Sequence, residues 1–159
     1  MKIIDIEIRA CRHKDPVMKD SEMRDGKKSD LEFLVITFHT DEGLSTSTFC
    51  FAGRGASMAG EIANSIFKPF FIGRDPLYRE MHWHEYRMAD RWWNHAPIYS
   101  YGPFDINCWV LSALQAGQPL YKYLGAYRDQ VPIYGSSLVY KTPNDYAKEA
   151  KEYKDKGFN

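Results

Sequence analysis

Arg54 stands between two glycines in the stretch "FAGRGA", residues 51–56. A guanidinium on so small and pliant a connector can reach a carboxylate, which it binds in a two-pronged fashion. The bland alternative is a solvated loop arginine. The stretch lacks the GxxxxGK[ST] form, so it is not read as a phosphate cradle. His82 and His84 look like a metal pair, but two residues apart on a helix they point about 200° apart and cannot share an ion unaided. Surface or packing roles are expected for both. His95 follows Trp92 and Trp93 and could line a pocket, although a structural or interface role is the expectation. Ser136 and Ser137 close the strand-like "VPIYGSS". If that strand belongs to a β/α barrel, its C-terminal end faces an active site. Cys11, Cys50 and Cys108 are widely spaced, with no CxxC pair and no nucleophile motif. They read as reduced thiols.

The composition narrows the classes of partner. The chain has 159 residues, enough for one ordinary domain or a domain plus a fragment. Lys and Arg number 21 against 21 Asp and Glu, so no basic footprint for nucleic acid is visible. No apolar run approaches the roughly 20 residues of a membrane helix. The opening "MKIIDIEIRA" alternates charge with apolarity and is not a signal peptide. A cytoplasmic protein without nucleic-acid or membrane partners is expected. Aromatic residues reach 15%, which implies a large core or interface.

The elements that would position these residues fall into three groups. In the first, Ile4, Ile6 and Ile8 alternate with charged residues, predicting a half-wet strand. "EFLVITFHT" and "LSTSTFC" predict two more, joined by a hairpin at Asp41-Glu42-Gly43. Residues 12–30 are charged and rich in breakers, predicting a long loop of the kind that is often functional. The second group is helical. One helix is predicted from about Ser57 with Met58, Ile62 and Ile66 on one face, ending at Gly73. The next is predicted with Asp75 as N-cap, Pro76 in its first turn, and Leu77, Met81, Met88 and Trp92 apolar. A third begins near Phe104 and carries Ile106, Trp109, Val110, Ala113 and Leu114, stopped by Gly117 and Pro119. "LYKYLG" predicts a short helical turn. The last group is the "VPIYGSS" strand and a helix N-capped by Thr142, with Pro143 at its first position, Asp145 closing a capping box and Gly157 as C-cap. Pairs such as Lys148 with Glu152 mark the solvated face of that helix.

Four phrases occur in a familiar order. "VITFHTDEGL", "FKPFFIGRDP", "FDINCWVLSALQAGQPLYKYLG" and "RDQVPIYGSS" together make nearly the whole chain resemble the N-terminal part of the enolase superfamily, in its mandelate racemase and muconate lactonizing enzyme group. Val110 stands where members often carry Asp. Asn107 and Cys108 replace small or apolar residues, which bears on packing in the capping domain.

The resemblance implies an α+β fold: a three-stranded antiparallel meander and a helical bundle over residues 1–129, then over 130–159 the first β-α unit of a TIM-type barrel. It implies an enzyme that removes the proton α to a carboxylate with a Lys or His base, while Mg²⁺ stabilises the enediolate. Two loops of the capping domain, here residues 12–30 and 50–56, would close over a small carboxylate substrate. That makes Arg24, Phe51, Arg54, Ser136 and Ser137 the expected substrate contacts. The base and the three carboxylate metal ligands belong to later barrel strands, so neither catalytic residues nor Mg²⁺ ligands are expected within this chain. The expected activity is that of an acid-sugar or hydroxy-acid dehydratase in preference to a racemase, in a homo-oligomer. The alternative is a non-catalytic capping module that binds a protein partner.

Overall fold

The computed structural model describes residues 1–13, 31–53, 55–90, 96–137, 140 and 142–158. They form two compact units, Met1–Arg12 with Glu32–Ala126, and His13–Leu31 with Tyr127–Asn159. The first is α+β. Strands β1 (Ile3–His13), β2 (Leu31–Thr40) and β3 (Ser45–Gly53) make a sheet in the order β1-β2-β3. β2 and β3 are antiparallel, with Phe38 opposite Thr46 and Leu34 opposite Cys50. The hairpin falls at the predicted turn, where Gly43 takes a φ of 79° and donates its N–H to the Thr40 carbonyl.

β2 is central, and its Leu34, Ile36 and Phe38 alternate into the core. β1 departs from the predicted alternation. Ile3 and Ile6 are buried while Ile4 is 58% exposed. The edge strand is anchored at its start by the Gly73 turn, since Ile3 N–H donates to the Arg74 carbonyl and Gly73 N–H to the Ile3 carbonyl. Those bonds set which isoleucine faces inward.

Helix α1 (Ala56–Ile62) continues through a π-helical turn (Ala63–Phe67) into α2 (Lys68–Phe71). The fully buried stripe is Ala56, Ala63, Phe67 and Phe71; of the predicted face, Ile62 and Ile66 pack partly buried against the core while Met58 is exposed. Successive spacings of four residues drift about 40° each on an α-helix, and the wider π turn takes up that drift. Gly73, at φ 80°, ends the segment as predicted. Asp75 does not N-cap a helix directly. Its carboxylate accepts the Leu77 N–H at 3.0 Å, closing a side-chain turn, and helix α3 (Arg79–Asp90) starts four residues later. α3 buries His82 and Tyr86 and exposes Met81 and Met88, and Leu77 ahead of it is exposed too, so the predicted apolar stripe is on the wrong side. Trp92 lies outside the described residues.

After a 3₁₀ turn (Ile98–Ser100), α4 (Gly102–Gln115) buries Phe104, Cys108 and Leu111 at helical spacing. Of the apolar residues predicted along it, Ala113 is buried, whereas Ile106 and Leu114 are exposed. The cause is the aromatic cluster, which sets the helix phase. Phe67 lies 4.9 Å from Phe104 and 5.3 Å from Tyr86, and Tyr86 stacks on Tyr101 at 4.7 Å. Packing these rings against Phe38 and Phe71 outweighs burial of the smaller aliphatics. Asn107 is fully buried in the same layer. Its amide donates to the Ile36 carbonyl and to Thr48 Oγ1, each at 3.1 Å, and so pins α4 to β2 and β3. Helix α5 (Leu120–Tyr123) is the predicted short turn.

In the second unit α6 (Pro143–Asp155) has the predicted ends. Thr142 Oγ1 accepts the Asp145 N–H and donates to its carboxylate. Gly157, at φ 89°, and Phe158 donate their N–H groups to the Lys154 and Tyr153 carbonyls, and the Phe158 ring packs 5.5 Å from Tyr153. That is a Schellman C-cap with its apolar contact. Residues 131–137, predicted as a strand, pair with no strand among the described residues. A strand exists only through a neighbour's hydrogen bonds, and here Val131, Ile133 and Tyr134 remain exposed. The segment meets α6 at Tyr153: a Cβ on Gly135 would sit 2.8 Å from its ring, so only glycine fits there, and the Tyr153 hydroxyl donates to the Ser136 carbonyl.

Tyr140 supplies a pH-dependent test of this unit. Its hydroxyl donates to Glu149 at 2.8 Å, and that bond raises its pKa from 10 to about 12. A tyrosine raised in the folded state stabilises below its unfolded value of about 10 and loses that contribution as the pH climbs through the folded one. Ultraviolet titration should show one tyrosine ionising near 12. In E149Q the Tyr140 ionisation is expected to move down in pH, and an unchanged curve would contradict the assignment.

Candidate functional site

The sheet end that carries the two predicted loops is organised by one carboxylate. Glu32 begins β2. Its Oε1 accepts from Arg12 Nη2 of β1 at 3.1 Å, and its Oε2 accepts the Ala56 N–H of α1 at 3.0 Å. The acceptor at the helix start suits the partial positive charge there. Across from it, Glu32 pairs with Gly53 and Phe33 with Phe51, which leaves Ala52 as an extra residue in β3. Such bulges re-aim a strand end, and they recur beside functional loops. Glu32 therefore holds the roots of β1, β2 and α1 in register. E32A is expected to lower the unfolding free energy by about 1–2 kcal/mol, read by urea denaturation, since it removes a helix cap and a charge-assisted bond. A change within about 0.3 kcal/mol would show that the carboxylate is dispensable.

The sequence-predicted contacts are placed unevenly. Arg24 and Arg54 lie outside the described residues, as does His95. Phe51 is in β3, opposite Phe33, and only its backbone is described. Ser136 and Ser137 are exposed in the second unit, and the Ser136 carbonyl accepts from the Tyr153 hydroxyl at 3.1 Å. His82 and His84 diverge as expected. His82 is buried, donating from Nε2 to the Asp75 carbonyl at 2.7 Å, while His84 is exposed. Burial raises the thiols of Cys50 and Cys108, which disfavours a reactive thiolate at either. Among the described residues, no group of three or more His, Cys, Asp or Glu side chains could hold a metal ion. No described helix is long and apolar enough to cross a membrane.

A second feature escaped sequence reasoning. Between α3 and α4 lies an open cleft of about 420 Å³, walled by Trp83, Trp109 and Ile98 and floored by Tyr101. The Arg79 guanidinium stacks 3.7 Å from the Trp109 ring centre and donates to Ser112 Oγ. Burial pushes the Asp105 carboxyl above the usual carboxylate range, against the Trp109 indole and Arg79, which favour its ionised form. The only sequence signal was Asp105 and Trp109 at i,i+4 on one helix; Arg79 comes from another element.

The comparisons bear on the whole arrangement. No family model matches the chain. The cis-3-hydroxy-L-proline dehydratase of Roseibium aggregatum is 33% identical over 132 residues, 78% of this chain. The racemase of Streptomyces coelicolor A3(2), solved with bound magnesium, superposes with a TM-score of 0.86 at 19% identity, over 98% of this chain and 44% of that one. An enolase-superfamily member from Polaromonas sp. JS666 superposes with a TM-score of 0.81 at 21% identity, over 99% of this chain and 42% of that one. The chain carries the N-terminal part of the enolase-superfamily fold. The chain spans 34% of the length of the dehydratase it matches. Its sheet and helices are the α+β arrangement that the resemblance implied.

Proposed function

We propose that this chain is the substrate-covering N-terminal portion of a mandelate racemase-type enzyme, with a dehydratase acting on a hydroxy acid or acid sugar as the favoured activity. The observation that carries the reading is the Glu32 junction, which gathers the roots of both predicted substrate loops at one end of the sheet. Similarity to a dehydratase, 33% identical over 78% of the chain, supports the choice of reaction. Arg24, Phe51 and Arg54 are assigned to the substrate's carboxylate side, and Ser136 and Ser137 to the first barrel strand, in a division of the chain at residue 129. The enzyme's Mg²⁺ and its base are assigned to the part of its relatives that this chain does not span. When bound, that ion would stabilise the negative charge left by α-proton removal. The chain's own residues would bind and orient the acid and keep water from it.

The test replaces the matching segment of the Roseibium aggregatum dehydratase with this chain and measures turnover of cis-3-hydroxy-L-proline. An active hybrid whose KM rises about tenfold or more in R54A or R24A supports the reading. An active hybrid indifferent to both overturns those roles. The chain by itself is expected to show no Mg²⁺-dependent turnover of acid sugars or hydroxy acids. Turnover abolished by a chelator would contradict that.

One observation favours a second reading, a non-catalytic module that binds a protein partner. Tyr127, Val131, Ile133 and Tyr134 are all at least 70% exposed. As the start of a barrel they would drive self-association of the isolated chain. A monodisperse monomer by light scattering would favour the module.

A further inference from the structure

Two residues lining the cleft between α3 and α4 carry buried hydrogen-bond donors that are unmet among the described residues. Tyr101 is 3% exposed, yet its hydroxyl has no partner among the described residues. The buried Arg79 Nε likewise has none. Burying a donor without an acceptor costs about 1–3 kcal/mol, so two beside one cleft call for an acceptor from outside. Arg79 is also a cation with no carboxylate in ion-pair contact among the described residues; Ser112 and the Trp109 face hold it in place. The same cleft presents carboxylates, Glu80 and Asp105, and flat apolar walls, Trp83 and Trp109. Its volume falls within the range of small-molecule sites.

These features select a ligand by charge. A plain organic anion would satisfy Arg79 and Tyr101 but meet two carboxylates. A plain amine would satisfy the carboxylates and leave both donors unmet. We propose that the cleft binds a free α-amino acid with an apolar side chain, its carboxylate on Arg79 and Tyr101, its ammonium on Glu80 and Asp105, and its side chain between the two indoles. The ammonium also gains from the indole faces. The inference is independent of the reading of the loops, because every residue in it belongs to α3, α4 or the turn between them.

Calorimetric titration of the whole chain with L-phenylalanine tests it. Saturable binding at one site, with Kd on the order of 0.1–1 mM, is expected. 3-Phenylpropionate lacks the ammonium and phenethylamine lacks the carboxylate; each is expected to bind about tenfold more weakly or worse. R79Q should weaken L-phenylalanine about tenfold and Y101F about threefold, with circular dichroism checking the fold. Y101F is the gentler change and decides the matter if R79Q fails to fold. Three results would each overturn the proposal: no saturable binding of L-phenylalanine or L-leucine up to about 10 mM, equal binding of 3-phenylpropionate, or undiminished affinity in Y101F. A cleft that other copies of the chain cover, seen as binding lost on concentration-dependent association, would also overturn it.

Discussion

Phe67→Ala is expected to lower the unfolding free energy by about 3–5 kcal/mol, the largest effect of any single truncation in the first unit. Phe67 is fully buried, and its ring meets those of Phe104, Tyr86 and Tyr101 at 4.9, 5.3 and 6.2 Å. It is the contact point of three helical segments, so the space it leaves cannot be closed by moving one of them. The loss therefore adds a cavity to the lost transfer free energy. Phe67 also ends the π turn, and its removal frees that turn to relax toward an α-helix, which would rotate Phe71 away from Phe38. Urea unfolding followed by near-ultraviolet circular dichroism reads both effects, because the aromatic signal reports the cluster itself. A loss under about 1 kcal/mol would mean that the cluster repacks and that the rings do not set the helix phase.

The second large effect is Asn107→Asp. The amide nitrogen of Asn107 donates to the Ile36 carbonyl and Thr48 Oγ1, whereas its Oδ1 has no partner among the described residues. A carboxylate there would face the Ile36 carbonyl oxygen with no donor to replace the amide, in a site with no solvent contact. The expected loss at pH 7 is on the order of 4 kcal/mol. Its pH dependence is distinctive. Burial raises the folded-state pKa of the new carboxyl above the unfolded value of about 4. Below about pH 4 both states are protonated and the charge penalty is absent; it grows as the pH rises and levels off above the folded pKa. N107A, which cannot ionise, should show a smaller loss without this added pH dependence. Parallel pH profiles for the two variants would sink the argument that charge, not shape, decides the position.

Asn107 and Glu32 mark where sequence reasoning stops. Each belongs to a segment that was read correctly as an element: α4 by its helical spacing, β2 by its β-branched and aromatic run. Neither role was visible. Asn107 looked like a departure from a family phrase, and Glu32 like the charged first residue of a strand. Their partners are 71 and 24 residues away, and periodicity carries no information about such pairings.

The residues by themselves determined the three strands and the main helices, the hairpin at Gly43, the ends of α6 and the family to which the phrases point. These depend on local chemistry: φ at a glycine, a hydroxyl three residues before an acid, the alternation of β2. Tertiary structure decided which faces are core. Met58, Met81, Met88 and Ile106 are apolar at helical spacing but exposed, because Phe67, Phe71, Tyr86, Tyr101 and Phe104 bury more area per residue and pack first. It also decided that 131–137 is no strand here, since a ladder needs a second chain segment. And it alone brought Arg79 of α3 onto Trp109 of α4, because a cleft between helices depends on how two faces meet, which neither helix encodes by itself.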